Sequence, residues 1–304
     1  MNRNPFRPKV SVCVITYNHE KYLEKCLQSI VDQKVDFDFE IIIGDDCSTD
    51  GSCKIIEKFT SKYYFIKAIF RKENSGGSLN FINVHNMAQG EYVCHMDGDD
   101  YWLPGKMAFQ AKILDDNNDI VQCWTCANYV NSENAVIGVF PSRFARKFNP
   151  VIIDSSKIAL SYALVGQHST QMYRRSARKV ELIGAAPLDY WVAFIISLNG
   201  LSYYSKSILS AYRVGENKSI TRTKSSKKVA VDFLAIHLNE IIIDYPEYLA
   251  FAKANLLVRY IISKIRCHDL SVIQPVLLKA KNAKTNYLLV LKSFWYFLIQ
   301  KIQI

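Results

Sequence analysis

Two hydrophobic patterns alternate along the first part of the chain. "KVSVCVITYN" is a short run rich in β-branched residues and closed by polar ones, the pattern of a strand buried on both faces. "EKYLEKCLQSIVDQ" then places Tyr22, Leu23, Cys26, Leu27 and Ile30 on one helical stripe. The alternation repeats. "FEIIIGDD" predicts a strand, "CSTDGSCKIIEKFTSKY" a turn and a helix, and "YFIKAIF" a strand. "SLNFINVHNMAQG" predicts a helix closed at Gly90, and "EYVCHM" a strand. "GKMAFQAKILDDN" predicts a helix and "DIVQCWTCANYV" a strand. Such alternation implies an α/β fold whose mostly parallel sheet carries helices on both faces.

The pattern then loosens. "HSTQMYRRSA" reads as a strand ending in basic residues, and "SILSAYRV" as another. Between them "APLDYWVAFIISLNG" reads as a helix with Asp189 at its start and Asn199-Gly200 at its end. From Thr223 onward every segment has helical spacing, which puts a boundary in the polar run "ENKSITRTKSSKK". The expected organisation is an α/β domain over residues 1–222 and a helical region over 223–304.

Three polar clusters directly follow predicted strands: Thr16 to Asn18, Asp45 to Asp50 and Asp97 to Asp100. Ligands of parallel sheets bind beyond the carboxyl ends of the strands, so these clusters are expected to share one crevice. The carboxylates of "DGDD" are costly together unless a cation or hydrogen-bond donors compensate them. Mg²⁺ takes one or two carboxylates and fills its other positions with water and substrate phosphates, which suits this cluster. The chain has no G-x-x-x-x-G-K-[ST] phosphate loop, and Gly76-Gly77 reads as a plain turn. A ring at Tyr17 can stack on a nucleobase, and a carboxylate at Asp46 can accept the N3–H of uracil or thymine. With a cation at Asp99, the clusters describe a site for a nucleoside diphosphate.

Charge changes the picture only in the tail. The chain carries 38 Lys plus Arg against 28 Asp plus Glu, but from Thr223 onward the ratio is 12 to 5. Such a surface suits anionic lipid or nucleic acid, the alternative being a solvated helical face. The last twenty residues, "TNYLLVLKSFWYFLIQKIQI", combine apolar positions with Tyr287, Trp295 and Tyr296, residues that favour a water–lipid boundary. They read as an interfacial helix or as a helix packed on its own domain. No run reaches the ~20 apolar residues of a membrane span, and no signal-peptide core opens the chain, so a cytoplasmic location is expected. The eight cysteines are then expected to be reduced. Cys123 and Cys126 form a lone C-x-x-C in a strand-like run and read as core thiols.

"VSVCVITYNHEKYLEKCLQSIVDQ", "EIIIGDDCSTDGS" and "AQGEYVCHMDGDDYWLPGKM" resemble the successive motifs of family 2 glycosyltransferases of the GT-A fold. The resemblance is strong over about residues 9–126 and thins to about residue 222. It implies a donor half over the first stretch and an acceptor half after it. It implies inverting transfer of a hexosyl residue from a UDP-sugar; a dTDP-sugar presents the same N3–H. Thr16, Tyr17 and Asn18 match the motif at the base, Asp46 the carboxylate that reads uracil, and Asp97 the residue near the ribose and donor sugar. Asp99 matches the acid of the D-x-D motif that binds Mn²⁺ or Mg²⁺. Asp189 stands where the family carries its general base, although Leu188 replaces the first acid of the usual pair, with Glu181 as fallback. His168, Arg213 and Ser219 are offered as acceptor or diphosphate contacts, His168 being equally readable as structural. The acceptor implied is a polyprenol-diphosphate-linked saccharide in O-antigen or capsule assembly, with the enzyme peripheral on the inner membrane face. Two alternatives stay open. A nucleotidyltransferase would open with a glycine-rich phosphate loop, which "TYNHEKYLE" is not. A non-enzymatic membrane- or nucleic-acid-binding protein would use the basic tail, but no nucleic-acid recognition motif is present and no such partner is expected.

Overall fold

The computed structural model describes residues 7–178, 189–214, 224–265 and 270–300. In chain order the elements are β1 (Val10–Thr16), α1 (Glu20–Val31), β2 (Phe39–Asp45), α2 (Ser52–Lys62), β3 (Ile66–Phe70), α3 (Gly77–Asn86) and β4 (Tyr92–Asp97). There follow β5 (Tyr101–Trp102), α4 (Lys106–Asp116), β6 (Ile120–Val130), β7 (Val136–Phe140), α5 (Arg143–Phe148), β8 (Ile152–Ile153) and α6 (Ser155–Leu160). The rest are β9 (Gln171–Arg174), α7 (Asp189–Ser197), β10 (Leu201–Arg213), α8 (Lys224–Asp244), α9 (Leu249–Ile265), α10 (Ile273–Lys279) and α11 (Tyr287–Ile299). They divide into two compact units. One comprises Met1–Phe140, Gly166–Pro187 and Ile195–Arg213, the other Pro141–Val165, Leu188–Phe194 and Val214–Ile304. The second unit thus takes in segments before residue 222, and the expected boundary itself lies outside the described residues.

In the first unit the strands run in the order β3-β2-β1-β4-β9-β6-β10-β5, with β7 beside β6. β3, β2, β1 and β4 form a parallel block. β1 lies inside this block, and Val10, Val12, Cys13 and Val14 are wholly buried, as its unbroken apolar run demands. Leu23, Leu27 and Ile30 of α1 are buried, each worth on the order of 1.5–3 kcal/mol in apolar transfer before entropy is charged, and Cys26 is buried with them. The register decides the function of this edge. Thr16 pairs with Asp45, and Ile15 with Asp97, so β1, β2 and β4 end together and release their three polar loops side by side.

The second half of the sheet is mixed, because β9 lies antiparallel between β4 and β6, and β5 pairs antiparallel with β10. Gly90 also departs from expectation. α3 stops at Asn86, and Gly90 sits where a Cβ would lie 2.6 Å from the backbone nitrogen of Ser11. Its role is close approach to β1, not helix termination. Cys123 and Cys126 are wholly buried in β6.

The second unit is built around α9, whose Ala252, Ala254, Leu256 and Val258 are buried. The free carbonyls at the end of α6 and just beyond it are satisfied by side chains. Ala159 accepts from Tyr190 and Asn255, Leu160 from Ser293, and Ala163 from Gln300. No helix among the described residues is long and apolar enough to cross a membrane.

Candidate functional site

The β1–α1 and β2–α2 loops are stitched together by the side chains their motifs supply. The backbone N–H of Asn18 donates to Ser48 Oγ at 2.9 Å, and Thr49 N–H donates to Asn18 Oδ1 at 2.8 Å. Glu20 N–H donates to Asp50 Oδ2, and Gly51 N–H returns to Glu20 Oε2, both at 3.0 Å. Asp45, buried, accepts from the backbone and hydroxyl of Ser48. Asn18 adopts a left-handed backbone (φ 54°), which an Asn tolerates at a turn. Ser48, Thr49, Asp50 and Asn18 therefore act first as ties that shape the crevice. Tyr17 stands outside these ties with its side chain exposed (44%), the condition for a ring that is to stack on a ligand.

Asp46 is 2% exposed, and a third loop uses its carboxylate. Ser75 donates to Oδ1 through its backbone (2.9 Å) and hydroxyl (2.8 Å), Gly76 N–H donates to Oδ2 (2.8 Å), and Arg71 Nε lies 3.7 Å from Oδ1. Gly76 has φ 86° and precedes the first residue of α3, which gives the Gly76-Gly77 turn its place. A base N–H at Asp46 would share Oδ2 with Gly76, which a carboxylate oxygen's two lone pairs allow.

The acidic cluster contains carboxylates of different kinds. Asp97, at the end of β4, is one-third exposed and has its Oδ1 3.2 Å from His95 Nε2. Burial pushes its carboxyl up, but His95, with His168 and His19 beyond, outweighs this and holds it at about 2. Asp99 is raised by burial and by the Asp97 charge, with His19 opposing. Asp100 is 1% exposed and pushed far up by burial, then by Asp99 and Asp97. It accepts from Ser169 Oγ and, at 2.8 Å, from the backbone N–H of Arg213. Gly98 is forced by proximity: a Cβ there would lie 2.8 Å from both Thr16 Oγ1 and His19 Nδ1. Among the described residues no three His, Cys, Asp or Glu side chains converge as a metal cage. Asp99 nonetheless fits a cation whose other positions are water and phosphate, and the charge crowding that adds to burial in raising Asp99 is what such a cation relieves.

Arg213 ends β10 beneath this loop and is 4% exposed. Its Nε donates to Asp99 O at 2.8 Å, one terminal nitrogen to Asn131 O and the other to Asn134 Oδ1, and it lies 4.0 Å over the Tyr22 ring. These partners make it a clamp on the acidic loop. His168 is half-buried, its ring 5.1 Å from that of Phe81 and 5.0 Å from that of His95, beside the donor crevice. Asp189 opens α7 in the second unit. Ser219, Glu181 and Leu188 lie outside the described residues.

Sequence reasoning passed over the polar chain behind Asp97. His95 Nδ1 is 3.0 Å from His85 Nε2, and His85 Nδ1 is 2.9 Å from the Tyr173 hydroxyl. The one readable sign was period: His95 and Asp97 are two apart on a strand and so share a face.

Residues 11–178 match the family model described as Glycosyl transferase family 2. The chain belongs to that family, and its fold is the GT-A fold. The Mycobacterium tuberculosis protein Rv1520 is 29% identical over 207 residues, covering 67% of this chain, and the chain spans 58% of that relative's length. The poly(ribitol-phosphate) beta-N-acetylglucosaminyltransferase TarS of Staphylococcus aureus is 38% identical over 117 residues, 37% of this chain and 20% of TarS. Among solved structures, S. aureus TarS 1-349 in complex with UDP-GlcNAc has a TM-score of 0.65 at 23% identity, covering 90% of this chain and 79% of that one. A mannosyltransferase from Pyrobaculum calidifontis, solved with GDP-Man and Mn²⁺, has a TM-score of 0.56 at 17% identity, covering 98% and 87%.

Proposed function

We propose that the chain transfers a hexosyl residue from a UDP-sugar, with inversion, to a hydroxyl of a lipid-linked saccharide in cell-surface polysaccharide assembly. The observation that carries this reading is the shared strand edge, where exposed Tyr17, the Asp46 loop and Asp97–Asp99 emerge side by side. Tyr17 stacks on the base, and Asp46 accepts its N3–H. Asp97 accepts a hydroxyl of the ribose or donor sugar. Asp99 would hold a divalent cation, which when bound supplies charge neutralisation at the diphosphate. Asp189, on the first turn of α7, takes the proton of the attacking hydroxyl. The names of the relatives support a UDP-sugar and surface polymers, and the Mn²⁺ of the mannosyltransferase supports the cation.

The lipid-linked acceptor goes with docking at an anionic membrane surface. α11 turns Tyr287, Leu288, Leu291, Trp295 and Leu298 to solvent on one stripe, and Lys284 and Lys292 are exposed with them. Phe144 and Phe148 of α5 lie about the Trp295 ring, at 6.3 and 6.1 Å, which widens the stripe into an aromatic patch.

The test is donor hydrolysis by the purified protein across UDP-, dTDP- and GDP-sugars, with Mn²⁺, Mg²⁺ or EDTA. Release of UDP from one sugar nucleotide is expected, and loss of it in EDTA. Release of GDP or dTDP alone would overturn the donor assignment.

A further inference from the structure

The chain Tyr173–His85–His95–Asp97 takes its direction from the carboxylate at its end. An ionised carboxylate only accepts, so His95 Nε2 carries the hydrogen toward Asp97 Oδ1. With a single proton, at Nε2, His95 accepts at Nδ1, which requires His85 Nε2 to donate. His85 in turn accepts at Nδ1 from the Tyr173 hydroxyl. The Tyr173 oxygen receives the Arg178 guanidinium at 3.4 Å, so every member is served and all donors point toward Asp97. His85 itself stays neutral, since burial, then His95, Arg178 and His168, hold it well below the usual histidine range; the competing arrangement, a second proton on His95 Nδ1 directed at His85 Nε2, is the one that the ¹⁵N spectra below separate.

The rings are also fixed in plane. Phe81 stacks on His85 with centroids 3.8 Å apart, and His95 is flanked by Phe81 and His168. His85, His95 and Tyr173 are each 1% exposed. Asp97 is the outermost member and the only one with substantial exposure.

We propose that His95 is a positioning residue for glycosyl transfer: by engaging Oδ1, with its tautomer set through His85 and Tyr173, it leaves Asp97 Oδ2 as the oxygen offered to the donor sugar. This rests on the reading that Asp97 serves the donor. Carboxylate rotation of even an ångström matters at such a site, since misplacement of that size costs about 10²-fold in rate. The chain makes the rotation expensive, because a turned Asp97 would leave a buried imidazole N–H unpaired.

Three variants and one spectrum test this. His95→Leu removes the donor to Asp97, His95→Gln keeps an amide N–H near the place of Nε2, and Tyr173→Phe removes the far end of the chain. With the sugar nucleotide that the wild type hydrolyses, His95→Leu is expected to lose roughly 10- to 100-fold in kcat with UDP affinity unchanged. His95→Gln should recover most of that loss, and Tyr173→Phe should fall between. Imidazole ¹⁵N spectra should show both His95 and His85 protonated at Nε2. Wild-type kcat in His95→Leu, no rescue by Gln, or a proton on His95 Nδ1 would each overturn the proposal. If His95→Leu does not fold, the Gln and Phe variants carry the kinetic test. If the wild type turns over no sugar nucleotide, the donor reading has failed separately, and the spectra decide the chain: Nε2–H on both rings upholds it and any other pair refutes it.

Discussion

Asp100 Oδ1 accepts the backbone N–H of Arg213 at 2.8 Å across 113 residues of sequence, and the Arg213 side chain returns a hydrogen bond to the carbonyl of Asp99 at 2.8 Å. The third acid of "DGDD" is thus spent on holding the loop to the end of β10. Asp100→Ala leaves a buried N–H unpaired and is expected to cost about 1–3 kcal/mol in chemical denaturation. Asp100→Asn keeps the Oδ1 acceptor and should cost less. Equal losses in the two variants would show that the Oδ2 acceptor of Ser169, which Asn replaces by an NH₂, matters more than the Oδ1 acceptor of Arg213.

Tyr17 owes its place in the crevice to backbone ties made by its neighbours, so its ring can be removed without loosening the loop. Tyr17→Ala is expected to leave the thermal midpoint unchanged and weaken UDP binding by about 1–3 kcal/mol, the worth of a base stacked on an aromatic ring. Calorimetric titration with UDP measures it. Undiminished affinity would remove Tyr17 from the base site.

Asp99 is the crowded carboxylate, raised by burial and by Asp97. Asp99→Asn removes the acid proposed to hold the cation. UDP binding in Mn²⁺ should weaken in this variant, while binding in EDTA should be the same for variant and wild type. A variant that retains the full Mn²⁺ enhancement would move the cation elsewhere.

The donor edge was legible because β1, β2 and β4 are apolar on both faces and end in polar residues. Period and composition both marked them, and the register brought their ends level. The roles within that edge were less legible. Ser48, Thr49 and Asp50 look like ligands in sequence, and are ties in three dimensions. The sequence offers Arg213 as an acceptor or diphosphate contact, but does not announce its partners, two carbonyls and an amide oxygen brought together by tertiary pairing. β5 has two residues and exists through its pairing with β10, so no local pattern announces it. The histidine chain was hidden for the same reason: His85 and Tyr173 meet across 88 residues.

Asp189 begins α7, and a carboxylate in the first turn of a helix meets the positive end of its dipole. Asp189→Asn preserves shape and removes the base. Turnover is expected to fall by ~10²- to 10⁴-fold while UDP affinity holds. The decisive comparison is single-turnover transfer against equilibrium UDP binding in the same preparation. A fall in both together would make Asp189 a structural residue of α7, and a fall in neither would leave the base to be sought elsewhere.

The outward stripe of α11 makes a prediction that separates membrane docking from self-association. Leu291 is 66% exposed, and Trp295 45%, on a helix whose Ser293 and Ile299 face inward. An apolar stripe with exposed lysines suits a lipid surface, where each lysine near an anionic headgroup contributes about 1 kcal/mol. The protein should therefore sediment with phosphatidylglycerol vesicles, less with phosphatidylcholine, and less again as salt is raised. Leu291→Glu should release it without lowering the thermal midpoint, because that side chain is two-thirds exposed, and Trp295→Glu should release it with a lower midpoint, because the ring also packs with Phe144 and Phe148. A second copy of the chain is the competing occupant. Concentration-dependent dimerisation in light scattering, abolished by the same two substitutions and unaccompanied by vesicle binding, would assign the stripe to that copy and end the membrane reading.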